Sequence, residues 1–238
     1  MAIKLTSADP ALSRLVEKQM RNWELARSQR ISTPTPKREE VEDFLCVSRM
    51  VGVDDRKVAA LVGERLGWPV FDREILEAMA GDDDFRRQIY SSMDQRDLSW
   101  WEEALRSLLD RDFVRNDYFH RLCETLLSLT RQGNSVFLGR GADLVLPRNR
   151  GFRVRLVAPR TTRIERYAEL TGLSPKKARD EIARIEKERA EFLQRHFGIG
   201  ADDPLRYDIM VNLERFSHQQ AVDLILQARE MLGGVARG

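Results

Sequence analysis

The sequence is poor in cysteine, poor in histidine and almost without net charge, and each shortage removes a class of protein. Two cysteines, Cys46 and Cys123, stand in 238 residues. They supply neither a disulfide framework nor a zinc-ligand spacing, and their scarcity fits a reducing compartment. Of three histidines, His120 and His196 stand too isolated to build a metal site. No apolar run approaches the roughly 20 residues that span a bilayer. The opening stretch Met1–Pro10 has neither the apolar core nor the cleavage site of a secretory signal. Lys and Arg number 40 against 38 Asp and Glu, a net charge of +2. The electrostatic argument for a nucleic-acid partner needs clustered positive charge rather than so slight a surplus. Membrane, secreted, fibrous and disordered classes are excluded on these grounds. The expectation is a soluble cytoplasmic globular protein, large enough to need no metal or disulfide for its core, that handles something small and anionic.

What is present is an ordered alternation of short apolar runs and amphipathic stretches. Residues 1–31 read as a separate amphipathic helix: Asp9 and Pro10 form a start signal, and Leu12, Leu15, Val16, Met20 and Trp23 follow at three- and four-residue steps. Residues 32–42, with Pro34 and Pro36, read as a linker. The helix either packs across the domain or binds a protein partner. From 43 to 232 the pattern is that of one domain, followed by a tail at 233–238. Strands are expected at Asp43–Ser48, Trp68–Asp72, Ser135–Leu138, Phe152–Val157 and Asp208–Asn212. Helices are expected at Arg56–Leu66, from Arg73, through much of 81–130, from about Arg163, from Ser174 and Pro175 to about Phe197, and at Gln219–Leu232. Short apolar strands separated by helices predict an α/β fold with a mainly parallel sheet.

In such sheets ligands sit beyond the carboxyl ends of the strands, so the residues that follow each strand matter most. The first strand runs into Ser48, Arg49, Met50, Val51, Gly52, Val53, Asp54, Asp55, Arg56 and Lys57, directly before a helix. A strand-to-helix loop is a common phosphate seat, because free backbone N–H groups and the helix dipole converge there. This one ends on two cations, Arg56 and Lys57, but has a single glycine, and does not match the Gly-x-x-x-x-Gly-Lys-[Ser/Thr] pattern. The third strand runs into Gly139, Arg140, Gly141, Ala142 and Asp143. On the long helix, Ile182, Ile185, Arg189, Phe192 and His196 share one face, so Arg189 is a guanidinium on an otherwise apolar stripe. Arg184 with Glu188, and Glu191 with Arg195, are four-residue ion pairs of the kind that stabilise a solvated helix. Trp100 and Trp101, among Leu105, Leu108 and Leu109, read as packing residues, Cys123 as a buried thiol, and Asp82–Asp84 as a solvated loop.

From about Phe44 to Ala228 the chain resembles the cytidylate kinase-like family, a branch of the P-loop nucleoside monophosphate kinases. The likeness rests on Ser48, Arg49 and Gly52 after the first strand; on the runs Leu66–Ile75 and Phe137–Asp143; and on Arg163–Arg166. Ile185–Arg189, Phe197 with Gly198, Asp203 with Pro204, Tyr207 with Asp208, and Asn212 complete the set. The resemblance implies a P-loop kinase-like parallel sheet flanked by helices, with a helical acceptor-binding insertion at about 73–130 and a helical lid at about 174–200. It also implies transfer of the γ-phosphoryl group of ATP, with Mg²⁺, to a nucleoside monophosphate such as CMP. On the donor side it implies Ser48, Gly52, Arg56, Lys57 and Arg163, with Arg166 in second rank. Asp72, Arg73, Gly139, Arg140 and Asp143 fall to the acceptor, and Arg189 with Lys57 to the transferring group.

One stretch departs from the family, whose phosphate loop typically reads Gly-[Ser/Ala]-Gly-Gly where this chain has Gly52, Val53, Asp54 and Asp55. Glycine lets the backbone take positive φ close to a phosphate, and aspartate tolerates that region better than most residues. A carboxylate about 4 Å from a phosphate charge costs roughly 4 kcal/mol at an effective dielectric near 20. Two functions therefore stay open: a nucleotide kinase, or a kinase-fold protein that binds a nucleotide or a protein partner without phosphoryl transfer.

Overall fold

Five strands form one parallel sheet in the order β2-β3-β1-β4-β5: β1 (Phe44–Arg49), β2 (Val70–Phe71), β3 (Ser135–Leu138), β4 (Phe152–Val157) and β5 (Ile209–Asn212). The structure is a computed structural model that describes residues 43–81, 117–148, 150–197, 199–200 and 203–233. The N-terminal helix and linker expected over 1–42, Trp100, Trp101, the acidic run Asp82–Asp84 and the tail beyond 233 lie outside those residues. Seven helices are described: α1 (Arg56–Leu66), α2 (Arg73–Gly81), α3 (Asp117–Gln132), α4 (Ala142–Val145), α5 (Arg160–Thr171), α6 (Pro175–Phe197) and α7 (His218–Gly233). A 3₁₀ turn at Pro204–Arg206 precedes β5.

A parallel sheet needs cover on both faces, and the strand residues alternate accordingly. Leu45, Val47, Val136, Leu138, Phe152, Val154 and Leu156 join Val58, Ala59 and Val62 of α1 and Ala221, Val222 and Ile225 of α7 in one core. The opposite face carries Phe44, Cys46 and Arg153, all but wholly buried. α2 and α3 pack on each other, and Phe71 stacks on Phe137 with centroids 5.6 Å apart. Both cysteines are free and buried; burial pushes the Cys123 thiol up to about 12. A second, smaller core joins Val51 of the β1–α1 loop to Ile164 of α5 and to Ala178 and Ile182 of α6. α6 is thereby packed against the β1–α1 loop.

β3 and β4 occupy the residues expected from the sequence, and β1 is displaced by one. Asp43 stays outside β1 and accepts the Phe44 N–H through its side chain at 2.9 Å. β2 is shorter than expected because both flanks have other work. The Trp68 N–H closes α1 by donating to Gly63 O at 2.9 Å, in the manner of a helix C-terminal motif. Asp72 caps α2, accepting from the N–H groups of Glu74 and Ile75 at 3.0 Å each. α5 begins at Arg160 rather than 163, directly after Pro159, whose fixed φ of −55° and carbonyl open the first turn.

Candidate functional site

The loop between β1 and α1 is shaped from behind by Arg163 of α5. Gly52 sits at φ +85°, and a Cβ on it would stand 2.5 Å from the Arg163 carbonyl oxygen, so only glycine serves there. The Arg163 guanidinium is buried and donates to Ala158 O and Val51 O, each at 3.1 Å. It also pairs with Glu186 of α6. One arginine thus ties the loop backbone to α6. In front of the loop, the first-turn N–H groups of α1 lack intrahelical acceptors by the geometry of any helix start, and the helix dipole adds positive potential.

Three guanidiniums converge on that opening from three elements. Arg49 ends β1. Arg155 lies on the adjacent β4, in register with Ser48; its Nη1 donates to Ser48 Oγ at 2.8 Å, and its guanidinium lies 5.5 Å from the Tyr207 ring centre. Arg189 reaches in from α6. Arg189 is exposed by surface area, yet protein groups crowd its guanidinium. Desolvation first, then the like charges of Arg49 and Arg155, pull its pKa below the ordinary arginine value, against the opposing pull of Asp55 and Glu186. Arginines that press on one another at the carboxyl end of a parallel sheet form a setting for an anion.

The two aspartates that replace the family's loop glycines each turn to a basic partner. Asp55 is buried, with Oδ2 2.8 Å from Arg49 Nη1. Burial raises its pKa, and Arg49 opposes the rise. Asp54 Oδ2 lies 3.2 Å from Nε2 of His218, the first residue of α7.

The other residues singled out from sequence fall into separate groups. Ser48 and Gly52 lie in the loop region just described, and Lys57 is exposed on the first turn of α1. Arg56 is turned sideways to α2, with Nη2 2.5 Å from Glu74 Oε1 and 3.8 Å from Asp72 Oδ2; the hydrogen bond to Glu74 raises its pKa. Arg73 pairs with Glu77 at 3.2 Å, and Arg140 pairs with the same carboxylate. Gly139, Arg140 and Gly141 are consecutive left-handed residues at φ 72°, 56° and 71°. For the arginine this is a sparsely populated conformation of the kind that collects at functional sites. The Gly139 N–H donates to Val47 O at 2.9 Å, which holds this turn beside β1. Asp143 pairs with Arg206 at 2.6 Å, both side chains nearly buried. Arg166 donates to Leu213 O at 3.2 Å. Arg184 is engaged with Glu181 and Glu188 at 2.5 Å each.

Sequence reasoning did not single out Arg49 or Arg155 as site residues. Their signals were present: Arg49 follows an apolar run, and Arg153 with Arg155 alternates with apolar residues inside a strand otherwise fit for the core.

A parallel sheet in this order, with a glycine-turned loop feeding a helix after its central strand, has the architecture of the P-loop kinases. The chain belongs to the cytidylate kinase-like family, whose sequence model matches residues 44–215. A crystal structure of an uncharacterized protein from Eubacterium ventriosum ATCC 27560 superposes with a TM-score of 0.62 at 17% identity, covering 78% of this chain and 97% of that one. A shikimate kinase from Bacteroides thetaiotaomicron gives a TM-score of 0.43 at 13% identity, over 80% of this chain and 98% of its own. A gluconokinase from Sinorhizobium meliloti 1021 gives 0.42 at 14% identity, over 82% and 95%. No curated protein matches the sequence.

Proposed function

We propose that the protein transfers the γ-phosphoryl group of ATP to a small phosphorylated acceptor, with CMP the first candidate on family grounds. The observation that carries this reading is the convergence of Arg49, Arg155 and Arg189 beside the β1–α1 loop. Phosphoryl transfer asks a protein for positioning and for positive charge around the transferring group, and for little covalent chemistry. In this reading the N–H groups around Gly52 and the start of α1, with Ser48 and Lys57, hold the donor phosphates. Arg189, carried on the lid at about 174–200, meets the transferring group together with Arg155. Arg73, Gly139 and Arg140 face the acceptor from the insertion at about 73–130. Asp72 positions the start of α2, Asp143 orients Arg206, Arg56 braces α1 against α2, and Arg163 holds the loop in shape.

Among the described residues no group of three or more His, Cys, Asp or Glu could cage a metal ion. The loop carboxylates Asp54 and Asp55 face His218 and Arg49. Mg²⁺ commonly keeps waters and takes substrate phosphates as ligands. It fits here as a companion of the nucleotide, supplying charge neutralisation on the phosphates. Among the described residues no helix is long and apolar enough to cross a membrane; a cytoplasmic location and a protein partner for residues 1–31 belong to the same proposal.

The second reading, nucleotide binding without transfer, is favoured by the two acidic loop residues. A coupled assay of ADP formation with Mg·ATP and a panel of nucleoside monophosphates separates the two. Acceptor-dependent ADP formation is the expected result. Saturable ATP binding without turnover supports the second reading, and absence of both rejects the kinase reading.

A further inference from the structure

Asp55 is the odd group in this arrangement. It is the residue directly before α1, where a side chain ordinarily accepts from first-turn N–H groups, and it makes no such bond. Its side chain is turned instead to the end of β1 and is 4% exposed. Oδ2 touches Arg49 Nη1 at 2.8 Å as an ion pair but has no partner in hydrogen-bond geometry. A buried carboxylate oxygen in that state is only partly compensated, and its one strong partner belongs to the arginine cluster. We infer that Asp55 is a built-in counter-anion of the phosphate site, which holds Arg49 in the resting chain and competes with an incoming tetrahedral dianion for it. This rests on the kinase reading only in taking the cluster as an anion site.

The consequence is an anion affinity set by the charge on Asp55. The groups facing it are Arg49 from β1, Asp54 and Arg56 on its own segment, and Arg189 from α6. Burial makes the carboxyl easier to protonate than usual, against the pull of Arg49. As pH falls, the competitor is neutralised and the dianion gains Arg49. Ionised Asp55 therefore discriminates against multiply charged anions that arrive without a compensating cation.

The test uses sulfate, a tetrahedral dianion whose charge is constant across the range, titrated calorimetrically into the full chain at about pH 5 and about pH 8. His218 lies beside Asp54, so parent and Asp55→Asn are both measured on a His218→Gln background as well. Asp55→Asn is expected to bind sulfate about tenfold more tightly than the parent at about pH 8, and the gap to narrow at about pH 5 as the parent's carboxyl begins to protonate. The difference is expected to persist without His218. An Asp55→Asn affinity no tighter than the parent's at the higher pH, or no sulfate binding by either protein, overturns the inference. If Asp55→Asn does not fold, Asp55→Ser carries the same expectation. The expected sulfate pattern without ADP formation leaves the counter-anion standing and removes phosphoryl transfer; turnover with no effect of Asp55 on anion affinity does the reverse.

Discussion

Arg153 and Arg155 stand two residues apart on the same face of β4, and their surroundings are opposite. Arg153, at the amino-terminal half of the strand, is 1% exposed. Its guanidinium donates to four carbonyl oxygens, those of Asp143 at 3.1 Å and of Arg150, Leu146 and Pro147 at 2.8 Å each. It also lies over the Phe44 ring at 5.3 Å. Burial lowers its pKa, and the carbonyl shell is what keeps a buried cation tolerable. Arg155, one step nearer the carboxyl end, touches the hydroxyl of Ser48 and raises the electrostatic pressure on Arg189. The first arginine organises the chain around itself. The second faces the end of the sheet where ligands bind. Position along the strand, and not residue type, separates a structural cation from the one proposed to bind phosphate.

The largest expected effect tests the structural half of this contrast. Arg153→Met strips four buried or part-buried carbonyls of their donor and should cost about 3–5 kcal/mol in chemical denaturation. Arg155→Ala should cost less than about 1 kcal/mol while lowering ADP formation about 100- to 1000-fold. If both variants lose stability alike, the contrast between them is gone.

Gly52→Ala probes the β1–α1 loop, which follows the strand end that Arg155 borders. Its Cβ meets the Arg163 carbonyl at 2.5 Å with φ at +85°, and the strain should cost about 1–3 kcal/mol in thermal unfolding. An unchanged midpoint would mean that the loop does not rest on Arg163.

Asp55→Asn should have a smaller effect with a definite pH dependence. The folded carboxyl is raised above its ordinary value of 3.8. Asp55 therefore contributes stability that is complete below that ordinary value and is lost as pH rises through the raised one. Asp55→Asn should be the more stable protein near neutrality, by about 1 kcal/mol or less, with the advantage fading in acid. A variant that is less stable than the parent near neutrality would mean that the pair with Arg49 outweighs the cost of burial. The smallest effect belongs to Arg184→Ala, whose partners Glu181 and Glu188 lie on the same exposed helix face. Turnover and thermal midpoint should both stay at the parent's values.

Much of the fold was legible because local patterns specify it. β3 and β4 are apolar runs bounded by turns, and α6 begins at a serine-proline pair, so tertiary context had little left to decide. β2 was overread, since Trp68 and Asp72 look like strand residues but serve the ends of two helices. α4 and the 3₁₀ turn at Pro204–Arg206 are too short to show periodicity. Of the arginines proposed for the site, Arg189 was legible as a charge on an otherwise apolar helix face. Arg155 was not, because its role depends on residues far away in sequence. The carbonyls of residues 143–150 claim Arg153 and leave Arg155 to Ser48 and the cluster. The turning of Asp55 toward Arg49 was equally hidden; the sequence shows a carboxylate in a phosphate loop but not the direction in which it points.

The central claim is that Arg49, Arg155 and Arg189 form the phosphoryl-binding centre. It is tested most directly by ADP formation under saturating Mg·ATP and acceptor for the parent, Arg155→Ala and Arg189→Ala, with denaturation midpoints measured on the same samples. The account predicts losses of about 100-fold or more in each variant with the midpoints nearly unchanged. Turnover equal to the parent's in both variants would contradict it.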